Sequence, residues 1–385
     1  MGPLPNAAVA CLSCGYFRVT SGRPRRPELG DVSQLASGRR VRLSDGSEDG
    51  LRAVDVRVAG GIHALVLTDR GMDIGPAWCA GYPLSWQSPT GVVHPSYFRD
   101  DVWLRSFHGG LLFTAGLQNV GNPVVDGGEH HGLHGRISNI PARDVSVTTA
   151  DDERGLAVEV RGSVRETSVY GVDLLLRRTL RFPVGEPVVE LHDEVENLGF
   201  TAVPVYVLYH VNLGFPVVAE GARLIAPPAT VEGWDEGSRA AEPDHAAFVT
   251  PQAGFPVQVF EHRLPASAPD SVTVGIINAG HHESGGIGVT LTYDRRQLPR
   301  LWQWRNLGEG LYVTALEPSN CGLLGRVEER ASGNTATLAP GASLAFDVTI
   351  RAAVGAAAAS LGEPAAAGAM RETRTPDPAI STVTR

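Results

Sequence analysis

The strongest constraint on the fold of this chain is a period of two in its hydrophobic residues, repeated in many short segments. Alternation of apolar and polar residues is typical of β-strands with one buried face. Gly, Pro, Asn and Asp separate the segments, and no long stretch holds a clear helical period. The alternating segments are 52–58, 62–68, 156–164, 173–182, 187–196, 203–211, 256–260, 271–277, 287–293, 310–317 and 343–351. Strands this short and numerous predict an all-β protein, a large antiparallel sandwich or barrel, and we expect the β-sandwich.

The predicted strands lie in one central part of the 385-residue chain. A hydrophobic content of 43% is enough to fill a large core. Residues 1–34 have weak periodicity and are expected to form a flexible N-terminal extension. Residues 355–385 are rich in Ala and Pro and are expected to be a disordered tail. We therefore predict a single β-sandwich domain over 35–354.

Charge and composition argue against several functional classes. The formal net charge is −9 and the basic residues are scattered, so nucleic acid is not an expected partner. No segment approaches the roughly 20 apolar residues that span a bilayer. The N-terminus lacks the basic and apolar regions of a signal peptide, so we expect a cytoplasmic protein. We expect the protein to be a monomer or a homodimer.

The cysteines do not indicate a metal site. Cys11 and Cys14 form a lone Cys-x-x-Cys pair, while Cys79 and Cys321 stand alone. A zinc site would need a second pair, or histidines at ligand spacing. We expect neither a metal nor an organic cofactor.

The most informative segment is 205–216, Val-Tyr-Val-Leu-Tyr-His-Val-Asn-Leu-Gly-Phe-Pro. Its alternation predicts a strand, which carries His210 and Asn212 just before Gly214 and Pro216 end it. A histidine at the mouth of a strand is well placed to exchange protons with a ligand.

Two other segments carry side chains of the same kind. Gly-Leu-His-Gly-Arg-Ile contains His134 and Arg136 between glycines. Glu317 lies on a predicted strand that Pro318 stops. Two histidines and a carboxylate on an all-β scaffold predict a proton-transfer site.

Aromatic and cationic side chains are candidates for ligand binding. Trp302 and Trp304 lie on the strand before Glu317, and tryptophan is suited to cover the C–H face of a sugar. Ordinary core packing is the alternative for either of them. Arg70, in an Asp-Arg-Gly turn, is either a ligand contact or an exposed turn residue. Other arginines are expected on solvated strand faces: Arg143, Arg177 and Arg178.

In their order, these motifs resemble the galactose mutarotase-like superfamily, and within it an aldose 1-epimerase-related family of formerly unknown function. The Leu-His-Gly-Arg stretch at 133–136 is similar to the mutarotase segment with the first histidine. Residues 194–213 and the Ala-Leu-Glu-Pro-Ser-Asn stretch at 315–320 are similar to those with the second histidine and the glutamate. Asp-Arg-Gly-Met-Asp-Ile at 69–74 and Gly-Gly-Leu-Leu-Phe-Thr-Ala-Gly-Leu at 109–117 resemble signatures of the unknown-function branch.

The resemblance covers roughly 40–350 and implies the β-supersandwich of galactose mutarotases. It implies that His134, His210 and Glu317 are the catalytic residues. The resulting prediction is an aldose 1-epimerase-like isomerase, in which Glu317 takes the proton of O1 and His210 protonates the ring oxygen, with His134 sharing that proton. We expect an ionised Glu317 and a protonated His210, because their proximity would favour both charges.

Several binding residues follow from the same resemblance. Mutarotases carry Asn-Arg-Ile where this chain has Gly-Leu-Gln-Asn-Val-Gly, so Asn119 is a candidate and the sugar-binding arginine has no direct counterpart. Arg70 or Arg136 would substitute for it. Asp235, in Glu-Gly-Trp-Asp-Glu-Gly, is the candidate for the sugar-binding aspartate of the family.

Alternatives to the mutarotase-like enzyme are a non-catalytic carbohydrate-binding protein and an isomerase or lyase acting on a keto- or acidic sugar. The expected substrate has the size of a monosaccharide. Whether this sugar carries an anionic substituent depends on the role of Arg136. Its guanidinium either contacts such a substituent or pairs with a carboxylate of the protein such as Asp126 or Glu129.

Overall fold

A computed structural model describes residues 27–333 and 335–361. The predictions for Cys11 and Cys14, and most of those for the two ends of the chain, lie outside the described residues.

Twenty-three strands form the framework of the described chain. They are β1 (Ala36–Arg42), β2 (Arg52–Val58), β3 (Ile62–Leu67), β4 (Asp73–Cys79), β5 (Tyr82–Pro83), β6 (Phe113–Leu117), β7 (Val124–Asp126), β8 (Glu129–His131), β9 (Arg143–Asp152), β10 (Gly155–Thr167), β11 (Asp173–Pro183), β12 (Val188–Asn197), β13 (Val203–Pro204), β14 (Tyr206–Gly214), β15 (Arg223–Ile225), β16 (Thr230–Gly233), β17 (Gln258–Arg263), β18 (Ser271–Asn278), β19 (Ile287–Asp294), β20 (Arg300–Asn306), β21 (Val313–Ser319), β22 (Thr337–Leu338) and β23 (Ser343–Val354).

These strands form three large sheets and two small ones. The five-stranded sheet has the order β1-β2-β3-β4-β5, and the eight-stranded sheet has the order β15-β18-β19-β23-β12-β11-β10-β9. The six-stranded sheet has the order β16-β17-β20-β21-β14-β6. Neighbouring strands run antiparallel throughout. The predicted all-β antiparallel β-sandwich is confirmed.

Helices are short. The α-helices are α1 (Glu236–Ala240) and α2 (Arg326–Ala331), and the 3-10 helices are Val32–Gln34, Gly46–Glu48, Pro95–Tyr97, Asp100–Arg105, Ile137–Asn139, Glu242–Asp244 and Gly355–Ser360. Among the described residues, none of these is long and apolar enough to cross a membrane.

The main hydrophobic core takes side chains from all three large sheets. From β14 it takes Val207, Tyr209, Val211 and Leu213, which alternate along the strand. Because successive side chains of a strand point to opposite faces, the residues between them, including His210, lie on the other face of the six-stranded sheet. That face carries the candidate site.

A buried ionic network joins the three sheets. Arg178 of β11 binds Asp193 of β12 at 2.7 Å and Asp73 of β4 at 3.0 Å. Its guanidinium also donates to the hydroxyl of Thr114 in β6, and the Tyr209 hydroxyl donates to Asp193 at 2.7 Å. The expectation that Arg178 lies on a solvated face is therefore wrong, because two carboxylates compensate its charge in the interior. Its neighbour Arg177 is exposed.

The folded part of the chain extends past the predicted domain boundary at 354. Residues Gly355–Ser360 form a 3-10 helix whose Ala358 is buried. A run of small residues can pack closely against a sheet, so alanine content here did not indicate disorder.

Candidate active site

His210 and Glu317 meet at the centre of the six-stranded sheet. Strands β14 and β21 pair in a register that aligns Val211 with Leu316, which places His210 beside Glu317 on one face. His210 Nε2 lies 3.1 Å from Glu317 Oε1. The atoms are within reach for proton transfer, although Glu317 Oε1 has no partner with the angles of a hydrogen bond.

His134 approaches this pair from a loop. It is one of the few non-glycine residues with a left-handed backbone, at a φ of 58°. Its carbonyl accepts from the Gly116 N–H at 3.0 Å and its own N–H donates to the Gly121 carbonyl at 3.1 Å, so both neighbours fix the loop. The His134 and His210 ring centres are 6.2 Å apart. The three predicted catalytic residues are thus brought together.

The tautomer of His134 follows from its backbone contact. The Gly121 N–H donates to His134 Nδ1 at 3.3 Å. A neutral ring that accepts at Nδ1 carries its proton on Nε2. His134 can therefore donate a hydrogen bond from Nε2 to a ligand oxygen.

Burial controls the charges of the site. Only 4% of His210 and 2% of Glu317 are exposed. Burial raises the pKa of Glu317 to about 8 and lowers the pKa of His134 to about 4. Burial, together with the nearby His134, lowers the pKa of His210 well below its ordinary value. The expected ion pair is therefore not favoured in this closed structure, where a protonated carboxyl faces a neutral imidazole at neutral pH.

Asn212 lies two residues from His210 on the same face of β14. Its side-chain amide donates to the His210 carbonyl at 3.0 Å. Its proximity to the ring acts against burial and favours the protonated imidazole. Neither Asn212 Oδ1 nor His210 Nδ1 has an aligned hydrogen-bond partner. The observed hydrogen bond of the Asn212 side chain is thus to the backbone of His210 and not to its ring.

Aromatic side chains surround His210 on the open side of the sheet. The ring centres of Phe107 and Trp304 are 5.2 Å and 5.5 Å from that of His210. Trp103 stacks on Phe107 at 4.5 Å and lies 5.1 Å from His134. Trp86 completes this shell at 5.9 Å from Trp304.

Trp103 and Phe107 lie beside the predicted catalytic histidines, although no sequence motif indicated them. Both lie on or directly after the 3-10 helix Asp100–Arg105, which has no strand period. The available signal was the spacing of the two rings, four residues apart, next to a glycine pair. Their rings lie 5.1 Å from His134 and 5.2 Å from His210, respectively.

A family model matches most of the chain. Residues 48–352 match the family model described as "Domain of unknown function (DUF4432)". The chain belongs to the DUF4432 family. No curated protein matches it.

Solved structures similar to this DUF4432 protein share its fold. A putative aldose 1-epimerase from Klebsiella pneumoniae is 26% identical with a TM-score of 0.79, and 85% of this chain and 86% of that chain are covered. A galactose mutarotase-like protein from Clostridium acetobutylicum and galactose 1-epimerase from Lactobacillus acidophilus are each 13% identical, with TM-scores of 0.55 and 0.53. Each of these two comparisons covers 83% of this chain and 99% of the other chain. The resemblance to galactose mutarotase-like proteins is confirmed.

Trp304 and Trp302 occupy different environments in the DUF4432 protein. Trp304 is half-buried beside His210, as a ligand-covering residue would be. Trp302 is aligned with Glu317 across β20 and β21, but it packs in a separate apolar cluster with Leu208 and Leu323. Its indole N–H donates to the Cys321 carbonyl at 3.4 Å.

Arg70 does not reach the site, which corrects its prediction as a ligand contact. Its side chain is fully buried. The guanidinium donates to the carbonyls of Ser138, Val93 and Ser106 at 2.8, 2.7 and 2.9 Å. Three distant backbone segments are thereby held together by a side chain that has no exposed surface.

Arg136 is engaged by carboxylates. Its guanidinium lies 3.3 Å from Asp100 and 3.5 Å from Glu129, and its Nε lies 3.8 Å from the buried Glu166. Of the two roles considered, this geometry supports the bracing of the His134 loop. Asp126, the other carboxylate considered, binds Arg330 instead.

Asn119 and Asp235 also make local structural contacts, contrary to their expected contact with substrate. Asn119 is fully buried and donates to the carbonyls of Gly132 and Asn122, while its oxygen accepts from the Arg326 N–H. Asp235 is the N-cap of α1 and accepts from the Ser238 N–H at 2.7 Å. Within the part of the chain that the structure describes, no group of side chains has the arrangement of a metal site.

Proposed function

We propose that this protein is an aldose 1-epimerase-like enzyme that interconverts the anomers of a sugar. The observation that carries the proposal is the 3.1 Å approach of His210 Nε2 to Glu317 Oε1, beside a second histidine ring. Anomer exchange requires that O1 lose a proton while the ring oxygen gains one, after which the ring opens and recloses on the other face. One acid and one base held together meet this requirement.

A single proton shared by the pair supplies both groups. The closed structure favours that proton on Glu317. Transfer across the 3.1 Å contact gives the carboxylate that accepts the O1 proton and the imidazolium that protonates the ring oxygen. His134, with its proton on Nε2, is placed to hold the ring oxygen or the open-chain carbonyl. Reclosure returns the protons in the reverse order.

The surroundings favour a neutral sugar at this position. Phe107 and Trp304 offer apolar surface to C–H groups. Arg70 and Arg136 are engaged elsewhere, which argues against the alternative of a keto- or acidic-sugar enzyme. A cytoplasmic location and a monomeric or dimeric state stay predictions from the sequence.

The test is two-dimensional NMR exchange between the anomers of glucose and of galactose. We expect Glu317→Gln to lower the exchange rate by about 10²-fold or more, while sugar affinity changes only a few-fold. Glu159→Gln is the matched control, because Glu159 is also buried but lies on the eight-stranded sheet. Near wild-type exchange by Glu317→Gln would show that Glu317 is not the base. Sugar binding without exchange by the wild type would support the non-catalytic alternative.

A further inference from the structure

A cavity lies on the same face of the six-stranded sheet as Glu317, two strands away from it. It has a volume of about 550 Å³ and lies between α1 and α2, with β16, β17 and β20 as its floor. Its lining includes Trp234, Trp302, Arg239, Arg263 and Arg300. None of the catalytic residues lines it. We call this cavity the outer groove.

The buried Trp302 lies between the outer groove and the catalytic residues. Across the sheet it is aligned with Glu317 on one side and with Glu261 on the other. Aligned residues of neighbouring antiparallel strands share a face. Strands are spaced by about 4.8 Å, so Glu317 and Glu261 are about 10 Å apart across the sheet. Two linked sugar rings can bridge this span, whereas one ring cannot.

The charges of the outer groove suit a neutral ligand rather than an ion. Its lining contains four glutamates: Glu232, Glu242, Glu261 and Glu329. Arg300 binds Glu261 at 2.8 Å, and Arg263 binds Glu232 at 2.8 Å. An anion would meet the carboxylates and a cation would meet the guanidinium groups. A hydroxyl group both donates and accepts, so it can contact either kind of side chain.

Two further features are typical of sugar binding. Trp234 is half-buried and meets Trp302 edge to face at 5.7 Å, which leaves an aromatic surface in the groove. Arg239 is exposed and makes no ion pair with any residue in the described ranges. The one hydrogen bond that its side chain makes within those ranges is a 3.4 Å contact with the Trp234 carbonyl. Its donors are thus available to a ligand.

We propose that the outer groove is a second sugar-binding subsite, which takes a neutral, hydroxyl-rich ring linked to the ring at Glu317 and His210. This inference rests on the proposed function for the position of the first ring. It extends the expected substrate from a monosaccharide to a disaccharide-sized sugar with a free reducing end.

The test compares glucose with maltose, cellobiose and lactose, which all have glucose as their reducing unit. Dissociation constants are measured by tryptophan fluorescence and saturation-transfer NMR. We expect at least one disaccharide to bind about tenfold more tightly than glucose. Trp234→Ala should remove this advantage and leave glucose affinity unchanged, and Arg239→Ala, at an exposed position, should reduce it several-fold. Trp78→Ala is the matched control, since Trp78 is also half-buried against a ring but lies in the five-stranded sheet.

Equal affinities for glucose and all three disaccharides would overturn the proposal. So would equal losses for glucose and disaccharide in both Trp234→Ala and Arg239→Ala. Anomer exchange, measured in parallel, separates this outcome from failure of the proposed function. Tighter disaccharide binding without anomer exchange would support the second subsite and contradict the epimerase activity. Anomer exchange without tighter disaccharide binding would support the epimerase activity and contradict the second subsite.

Discussion

The carboxyl group of Glu317 lies in a site where water is almost excluded and a histidine is its nearest polar neighbour. Burial raises its pKa from an ordinary 4.5 to about 8. In the unfolded chain the same carboxyl ionises at its ordinary pKa. Folding therefore binds a proton at Glu317 between these two values, and the stability of the protein depends on pH through this residue.

We expect Glu317→Gln to stabilise the protein at pH 8 relative to wild type, and to have little effect near pH 4.5. Below 4.5 the carboxyl is protonated in both states and resembles the amide. As pH rises toward about 8, the unfolded state gains the free energy of ionisation while the folded state does not. Thermal melting of both proteins across this range measures the difference. A difference that stays constant with pH would contradict the raised pKa, and Glu159→Gln is the control.

The pH dependence of anomer exchange should follow the same residues. A pair holding one proton is active, and loss of that proton removes the acid. We expect kcat/KM to fall as pH rises through about 8, and the acidic limb to lie well below 6.5 because the pKa of His210 is lowered. A pH profile of exchange, corrected for the uncatalysed reaction, measures both limbs. An alkaline limb absent up to pH 9.5 would exclude Glu317 as the titrating group.

At the level of single elements, the 3-10 helix Asp100–Arg105 is the cover of the site. It carries Trp103, which lies over His134 and stacks on Phe107. His210 is only 4% exposed, so we expect this helix to move when a ligand binds. The helix already departs from helical geometry at Val102, where φ is −137°. This is the element through which we expect the substrate to enter.

Trp103→Ala should raise the pKa of His134 from about 4 toward 6.5, because water would reach a ring that is now buried. NMR titration of the histidine Cε1–H resonances between pH 5 and 8 measures this change. In the wild type His134 should not titrate in that range, and in the variant it should. Trp78→Ala, in the five-stranded sheet, should leave it unchanged. A pKa that remains near 4 in Trp103→Ala would mean that other residues exclude the water.

Sequence periodicity predicted the strands whose apolar residues alternate. It did not predict the environment of side chains that bond to backbone groups far away in the sequence. It found β14 and β21, and hence His210 and Glu317, because their apolar residues alternate. It could not assign Arg70, whose partners Val93 and Ser138 are 23 and 68 residues away. Backbone carbonyls have no residue identity, so no sequence pattern marks them as the partners of a buried guanidinium.

For the whole molecule, the decisive contact is the ionic network of Arg178, which joins the three large sheets. Removal of the guanidinium leaves Asp73 and Asp193 buried without compensation. We expect Arg178→Met to reduce the free energy of unfolding by about 3–5 kcal/mol. Its neighbour Arg177 makes a surface pair with Glu196, so Arg177→Met should cost under about 1 kcal/mol.

Urea unfolding of the two variants, followed by tryptophan fluorescence and circular dichroism, gives both values. Similar losses for Arg177→Met and Arg178→Met would contradict the role of the network. Separate transitions for the two probes in Arg178→Met would show that the sheets had become independent of one another.

Strand β14 contributes consecutive residues to the buried ionic network and to the candidate site. Tyr209 points inward and bonds to Asp193, and His210 points outward to Glu317. Insertion or deletion of one residue in this strand would exchange their directions, which would place an imidazole in the ionic core and a phenol in the candidate site. Length variation among related proteins is therefore expected in the loops on either side and not within β14. A change in substrate must come from the segments that surround the catalytic residues, while the position of those residues stays tied to the assembly of the sheets.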